Sequence, residues 1–198
     1  METRCLRCRA PLVLATTGRP KRFCGGRCQV AHWRRSRGER ARNEWHSPAV
    51  VVEAARSAMG GIDLDPASSA QANAVVRASA FYSARDNGLR PPWFGRIWLN
   101  PPFGRFARLF VARLADMHAS GVVEQACLLL NQNALGTGWF AGIPLSGLLC
   151  IPTKRIHFQR PDGSSGHGVN FVSVVIGLGV DPGGFRDAFA PIGRIGHI

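Results

Sequence analysis

From residue 47 onward, short apolar runs alternate with segments of helical character, and this alternation is the strongest constraint on the fold. Ser47 is expected to be the N-cap of a helix and Pro48 its first residue, and Gly60-Gly61 is a pair that ends one. The predicted elements are helices at 47–59, 67–80 and 106–118 and strands at 62–65, 96–99, 126–130, 148–151 and 171–178. Alternating helices and strands predict an α/β fold with a mainly parallel sheet.

One predicted strand runs directly into Asn100-Pro101-Pro102-Phe103. A primary amine conjugated to a ring is a poor nucleophile because its lone pair is delocalised. The Asn100 side-chain oxygen and the Pro101 carbonyl can each accept one N–H, which would turn that lone pair toward an electrophile. Both prolines lack an N–H, so the turn presents carbonyl groups, and Phe103 offers a ring on which a nucleobase can stack. The tetrapeptide therefore predicts an amine-binding catalytic site.

The same four residues also have a purely structural interpretation. Asn and Pro are common turn residues, and a turn at this point would simply end the strand. The pattern by itself favours neither interpretation, so the catalytic hypothesis depends on the motifs that accompany it.

Acidic residues are expected near the same end of the sheet. Asp63 and Asp65 close one predicted strand, and Asp86 lies in the predicted turn 86–89. Ligands of open α/β sheets bind across the carboxyl ends of the strands, where Asn100 is also expected. Carboxylates there can accept hydrogen bonds from the ribose hydroxyls or adenine amine of a nucleoside-bearing methyl donor. The alternative is that Asp65-Pro66 begins a helix and that Asp86 belongs to an ordinary turn.

Positive charge is concentrated in the first fifth of the chain. The 198 residues carry a net charge of +13, and residues 1–44 hold 12 of the 25 Lys and Arg against three acids. This excess indicates a polyanionic partner such as nucleic acid rather than a small neutral metabolite. The change in composition predicts two parts, a basic module at 1–43 and a larger domain at 44–198.

The basic module contains two pairs of cysteines, Cys5-x2-Cys8 and Cys24-x3-Cys28, separated by fifteen residues. Four thiolates at this spacing fit a tetrahedral zinc site, and metal binding would supply most of the folding free energy of so short a segment. His32 could replace one of the cysteines as a ligand. The alternative, four free thiols in a disordered basic tail, fits the paired spacing less well.

An arginine-rich segment follows the last of these cysteines. Residues 29–37 have the character of a short helix that ends in Arg34, Arg35 and Arg37. Their guanidinium groups are expected to contact nucleic-acid phosphates. The alternative is a solvated charged face that has no partner.

The sequence contains no apolar run long enough to cross a bilayer, and its first residues lack the apolar stretch of a secretory signal. We therefore expect a cytoplasmic protein with reduced cysteines and no membrane association. Cys127 and Cys150 lie in apolar strands and are expected to be small buried hydrophobes. The sequence gives no reason to expect an obligate protein partner.

The motifs of the larger domain occur in a characteristic order. They are Trp45-His46-Ser47-Pro48, Ile62-Asp63-Leu64-Asp65-Pro66-Ala67-Ser68, Asn73, Asp86-Asn87-Gly88-Leu89 with Trp93, Trp98-Leu99-Asn100-Pro101-Pro102-Phe103, Trp139-Phe140, and Arg155-Ile156-His157-Phe158. This series, which spans residues 44–178, resembles the phage-type (Dam-like) DNA N-6-adenine methyltransferases found in bacteriophages and prophages.

The resemblance implies a Rossmann-like methyltransferase fold and transfer of a methyl group from S-adenosylmethionine to the exocyclic amine of a flipped adenine in DNA. The N-terminal cysteines and the basic segment after them resemble the small four-cysteine zinc fingers carried by nucleic-acid enzymes. The expected cofactors are S-adenosylmethionine and zinc, and the expected location is the cytoplasm of a bacterial or phage-infected cell. The implied site residues are Asn100, Pro101, Pro102 and Phe103 for the amine and Asp63, Asp65, Pro66 and Asp86 for the methyl donor.

The chain departs from the usual pattern of such enzymes in two places. No Gly-x-Gly loop follows the first predicted strand, and Phe103 replaces the more usual Tyr, which keeps the stacking face and loses a hydroxyl. Three alternatives stay open: an amine in RNA, a glutamine side chain in a protein, or no reaction at all in a zinc-dependent nucleic-acid-binding protein. The basic module argues against a protein substrate.

Overall fold

A computed structural model describes residues 4–5, 8–12, 23–24, 28, 45–104, 106–158 and 172–198. The chain divides into two compact units, Met1–Asn43 and Glu44–Ile198, which we call the N-terminal and C-terminal units. The described helices of the C-terminal unit are α1 (Ala49–Met59), α2 (Ala70–Val76), α3 (Ala107–Ala119), α4 (Gly138–Ala141) and α5 (Pro182–Phe189). Its described strands are β1 (Leu64–Asp65), β2 (Ala80–Phe81), β3 (Gly95–Leu99), β4 (Val123–Asn131), β5 (Leu148–Pro152), β6 (Ser173–Leu178) and β7 (Gly193–His197).

Across the described residues these strands form one seven-stranded sheet in the order β2-β1-β3-β4-β6-β5-β7. Strands β2, β1, β3 and β4 pair in parallel, whereas β6 is antiparallel to both β4 and β5, and β7 is antiparallel to β5. Strands β1 to β5 therefore share one direction, and β6 and β7 run the opposite way. The predicted α/β fold with a mainly parallel sheet is confirmed.

Helices cover both faces of the sheet. On one face, α1, α2 and α5 pack against buried residues that include Trp98 of β3 and Leu129 of β4. On the other face, α3 and α4 pack against a second buried cluster that includes Ile97 and Leu128. Side chains of a strand alternate between the two faces, so neighbouring residues of β3 and β4 serve different clusters. In the parts of the chain that the structure describes, no helix combines the length and apolar character that a bilayer crossing requires.

The start of α1 differs from the prediction. Pro48 occupies the N-cap position, where no side chain caps the helix, and its carbonyl accepts from the amides of Val51 and Val52. Ser47 was predicted to be the N-cap, and this is wrong because its hydroxyl accepts a hydrogen bond from Asn100 instead. The predicted helix end is correct, since Gly60 adopts the left-handed conformation with φ of 70°.

The second helix is shorter than the predicted 67–80. Its N-cap is Ser69, whose hydroxyl accepts from the amide of Ala72 at 3.1 Å. The carboxylate of Asp65 instead accepts from the amide of Ala67, which forms a local turn before the helix. Residues 162–168, a Gly- and Ser-rich segment between the predicted strands 148–151 and 171–178, lie outside the described residues.

Candidate active site

The side chain of Asn100 is held immediately after β3 by two hydrogen bonds from its amide nitrogen. Nδ2 donates to the backbone oxygen of Trp45 at 2.7 Å and to the hydroxyl of Ser47 at 3.1 Å. An amide nitrogen carries two hydrogens, so these two bonds use both. A carbonyl oxygen can only accept, and the Trp45 oxygen therefore requires Nδ2, rather than Oδ1, to face it.

The opposite end of the same amide is left with an unused acceptor. Oδ1 of Asn100 is buried and has no hydrogen-bond partner within the described residues, where it is one of five side-chain nitrogen or oxygen atoms in that condition. A buried acceptor without a partner costs about 1–3 kcal/mol. A ligand that donates an N–H to Oδ1 would remove this penalty, and an exocyclic amine is such a donor.

The rest of the tetrapeptide is packed rather than loose. Pro101 is buried, and Pro102 and Phe103 are half-buried. The Phe103 ring contacts the buried Phe158 ring edge to face, with centroids 5.7 Å apart and an interplanar angle of 82°. This geometry is favourable for aromatic pairs and fixes the orientation of the Phe103 ring.

Asp65 is a buried carboxyl group at the carboxyl end of β1. Its side chain accepts from the amide of Ala67 at 3.1 Å. Burial raises the pKa of Asp65 to about 7, although hydrogen bonds from Ala67 and Ser68 act in the opposite direction. A carboxyl group that titrates near neutral pH can donate as well as accept a hydrogen bond.

The register of the parallel strands places Asp65 and Asn100 at the same end of the sheet. Leu64 of β1 pairs with Ile97 of β3, so both strands end toward the same side. Strand β1 is the direct neighbour of β3 in the sheet. Asp65, predicted for the donor, ends β1, and Asn100, predicted for the amine, follows β3, so both lie at the carboxyl ends of adjacent strands, where ligand sites of open α/β sheets form.

The burial of Asp65 predicts a pH-dependent stability that Asp65→Asn removes. With a folded pKa of about 7 and an unfolded pKa of about 3.9, the wild-type protein loses stability as pH rises between these values. Asn is neutral throughout and can still accept from Ala67. The unfolding free energy of Asp65→Asn minus that of wild type is therefore expected to increase by up to about 3 kcal/mol when pH is raised from 5 to 8.

Denaturant unfolding at both pH values measures this gain. The matched control is Asp187→Asn, which removes an exposed carboxyl group of α5. A free-energy difference between Asp65→Asn and wild type that is the same at pH 5 and pH 8 would show that the Asp65 carboxyl does not titrate as its burial requires.

Asp63 lies at the other end of the strand. It precedes β1, and both of its carboxylate oxygens accept from the Arg96 side chain at 2.9 Å. These hydrogen bonds hold the pKa of Asp63 below its usual range. The same guanidinium donates to the carbonyl of Gly60 at 2.7 Å. The prediction that Asp63 sits at the carboxyl end of its strand is wrong, because this ion pair ties it to Arg96 near the end of α1.

Asp86 is exposed, and its carboxylate accepts from the hydroxyl and the amide of Ser83 at 2.6 and 2.8 Å. The Ser83 hydrogen bonds lower the pKa of Asp86. The turn that contains Asp86 packs closely on the segment after β1, because a Cβ placed on Gly88 would lie 1.8 Å from the Pro66 carbonyl oxygen. The indole of Trp93 also donates to the Gly88 carbonyl at 2.7 Å. Two motifs distant in sequence therefore meet beside Asp65.

The N-terminal unit contains a candidate metal centre. Cys5, Cys8, Cys24 and Cys28 place their sulfur atoms within 4.8 Å of one another. Two of these separations, Cys8 to Cys24 and Cys24 to Cys28, are 3.5 Å. Ligands at about 2.3 Å from a tetrahedral zinc ion lie about 3.8 Å apart, so the cluster has the dimensions of such a site. The thiols can therefore hold a metal ion. His32, Arg34, Arg35 and Arg37 lie outside the described residues.

The sequence reasoning missed three partners of the tetrapeptide. Trp45 and Ser47 hold the Asn100 amide, and Phe158 supports the Phe103 ring. Each belongs to a motif that carried the family resemblance, and that was the available signal. Their contacts join residues 53 or more positions apart in sequence, so local spacing does not reveal them.

Comparison with known proteins gives one match. A protein-family model described as DNA N-6-adenine-methyltransferase (Dam) matches residues 36–176. The matched segment contains the Asn100 tetrapeptide and Asp65, and it begins after the four cysteines. Neither the curated proteins nor the solved structures gave a match.

Proposed function

The chain belongs to the DNA N-6-adenine-methyltransferase (Dam) family, and from that premise we propose that it transfers a methyl group from S-adenosylmethionine to N6 of a flipped adenine in DNA. The observation that carries the proposal is Oδ1 of Asn100, which is buried and has no hydrogen-bond partner among the residues that the structure describes. An oxygen that can only accept, held at the end of β3, is suited to an amine. It is not suited to a carboxylate or a phosphate, which offer no hydrogen.

In this proposal Asn100 acts on the amine without removing a proton first. Oδ1 accepts one N6 hydrogen and the Pro101 carbonyl accepts the other, which localises the nitrogen lone pair. Pro102 keeps a further N–H donor out of the turn. When bound, S-adenosylmethionine would supply an electrophilic methyl group and leave as the neutral thioether, and the methylated nitrogen would then release one of its protons to solvent. Fixed acceptors require little rearrangement during the reaction, and this accounts for most of their contribution to rate.

Phe103 is proposed to stack on the flipped adenine. A base leaves the duplex at a cost of a few kcal/mol, and stacking on an aromatic ring returns part of it. The edge-to-face contact with Phe158 presets the ring plane before the base arrives. Stacking does not require the hydroxyl that Tyr would add.

For the methyl donor, the proposed pocket is centred on Asp65. Its buried carboxyl lies one strand from Asn100 and suits a ribose hydroxyl, which can donate to it. Pro66 and the Asp86 turn, which touch through Gly88, would form the adjoining wall. We propose that Asp63 supports this pocket indirectly, because both of its carboxylate oxygens accept hydrogen bonds from Arg96.

The N-terminal unit is proposed to bind zinc through its four cysteines and to contact DNA. The cysteine sulfurs have the separations that a tetrahedral ion needs, and residues 1–44 carry 12 of the 25 Lys and Arg. Arg34, Arg35 and Arg37 would contact phosphate groups, which position a duplex without reading its sequence. We propose that the reaction takes place in the cytoplasm of a bacterial or phage-infected cell.

The test is a transfer assay with isotopically labelled S-adenosylmethionine and, in separate reactions, duplex DNA, RNA and a protein mixture. Mass spectrometry of the nucleosides and peptides identifies the product. We expect labelled N6-methyladenine from DNA alone. Label in RNA or in glutamine would reassign the substrate, and absence of label with intact donor binding would reject methyl transfer to all three substrates.

A further inference from the structure

We infer that Ser47 is a positioning residue that keeps the Asn100 amide in its amine-accepting orientation. The inference rests on the proposed function, because it assigns Ser47 a task at the same site. Its basis is the 3.1 Å hydrogen bond from Nδ2 of Asn100 to the Ser47 hydroxyl, beside the 2.7 Å bond to the Trp45 carbonyl.

The two bonds have different tasks. The Trp45 carbonyl cannot donate, so it determines which end of the Asn100 amide turns toward it. It leaves the second Nδ2 hydrogen without a partner and leaves the amide plane free to tilt about its terminal torsion, which has a broad energy well. The Ser47 hydroxyl accepts this second hydrogen and so fixes the plane. Oδ1 then points in one direction.

Ser47 is well placed to provide a fixed reference. It is buried, with 8% of its surface exposed. Pro48 follows it, and a residue before proline is restricted to extended backbone conformations. The Pro48 carbonyl is bound by two amides of α1, which packs against the sheet through its buried face. The hydroxyl is thus attached to the rigid start of a core helix.

The sequence context supports a task at Asn100 over a task in the helix. A serine before a helix ordinarily caps it, yet α1 has no side-chain cap, and Ser47 contacts a residue 53 positions away. The bond joins the Trp45–Pro48 segment to the Asn100 tetrapeptide, two motifs whose structural connection the sequence did not reveal.

The decisive variants are Ser47→Ala, which removes the acceptor, and Ser47→Thr, which retains it. In steady-state assays of adenine methylation in duplex DNA, Ser47→Ala is expected to lower kcat roughly five- to tenfold. Its KM for DNA is expected to stay within about twofold, because the amide orientation affects the reacting amine more than duplex binding. Ser47→Thr is expected to restore kcat.

The matched control is Ser120→Ala. Ser120 follows α3, and its hydroxyl donates one hydrogen bond, to the Met117 carbonyl at 3.0 Å. The control also removes one hydroxyl hydrogen bond from a serine, but it does not affect the Asn100 contacts. It is expected to keep the wild-type kcat. An unchanged kcat in Ser47→Ala, or a loss that Ser47→Thr fails to restore, would overturn the inference.

A second readout does not depend on turnover. Nuclear magnetic resonance spectra measure the solvent exchange of the Asn100 side-chain amide hydrogens, whose signals are assigned by their absence from the spectrum of Asn100→Ala. These hydrogens should exchange slowly in the wild type. They should exchange faster in Ser47→Ala and slowly again in Ser47→Thr. Equal exchange in all three proteins would reject the positioning role. Protected hydrogens in a wild-type protein that does not methylate DNA would instead reject the proposed function and leave the positioning role standing.

Discussion

Replacing Asn100 with alanine is expected to lower the rate of adenine methylation at least about a hundredfold, the scale of losing one preorganised hydrogen-bonding group at a reacting centre. The variant removes the buried acceptor Oδ1 and leaves the Pro101 carbonyl as the remaining predicted acceptor for the amine. Single-turnover rates with saturating labelled donor and duplex DNA measure the effect on the chemical step.

Donor binding and thermal stability are the controls for Asn100→Ala. Both should stay close to wild type, because the side chain follows β3 and is half-buried rather than part of the central core. Asn100→Asp refines the test, since it retains acceptor oxygens but loses the two hydrogens bound by Trp45 and Ser47. An ionised carboxylate facing the Trp45 carbonyl is repelled, so this variant should also be slow. A near-normal rate in Asn100→Ala would contradict the site assignment.

Replacing Cys24 with serine is expected to abolish stoichiometric zinc binding. A hydroxyl is a much poorer zinc ligand than a thiolate, and three remaining cysteines do not complete the tetrahedral set. The variant also carries His32→Ala, so that His32 cannot take the place of Cys24. The hydrogen bond with Cys28 raises the pKa of Cys24 to about 12. The Cys24 thiol therefore keeps its proton until a metal ion displaces it, and zinc affinity should fall as pH is lowered.

Metal content by mass spectrometry, from wild type and Cys24→Ser, measures this loss. Salt-dependent DNA affinity is the second readout, because losing phosphate contacts should weaken binding and make its salt dependence shallower. The matched control is Cys150→Ser in β5, where the thiol is buried near the Phe189 carbonyl and a hydroxyl can still donate. Cys150→Ser should keep its zinc. Full zinc content in Cys24→Ser would reject the four-cysteine site.

The chemistry of the tetrapeptide could be predicted from sequence because it is local. Asn100 follows an apolar strand, the prolines remove donors, and the strand order of an α/β sheet puts its carboxyl end at the ligand site. Asp65 was identified for the same reason. What the sequence did not reveal is which groups hold Asn100, since the bonds from Trp45 and Ser47 span more than fifty residues.

Two wrong predictions have one cause, the competition between local and distant partners. Ser47 has the residue type of a helix cap, but its hydroxyl binds Asn100. Asp63 was expected to be a strand-end ligand, but it precedes β1, and Arg96 binds both of its oxygens. Local propensity predicts the partner that a polar side chain would have in an isolated segment. In the folded chain, tertiary contacts replace that partner.

Four elements, α4, α5, β2 and β7, were not predicted, and the reason is different. Helix α5 and strand β7 contain glycines and charged residues, which weaken any periodic apolar signal. Strand β2 and helix α4 have two and four residues, too few for a period to be recognised. These elements take their structure from the sheet and core they join rather than from strong propensities of their own.

Helix α5 and strand β7 also determine how far the chain can be shortened. The family match ends at residue 176, whereas α5 and β7 lie beyond it. Without them the sheet would lose the fully buried Phe185 and Phe189, and β5 would become an edge strand that is paired only with β6. Exposed apolar surface beside a free sheet edge favours association between chains. A fragment trimmed to the matched segment is therefore a poor choice for expression or crystallisation, and shortened versions should retain residues through β7.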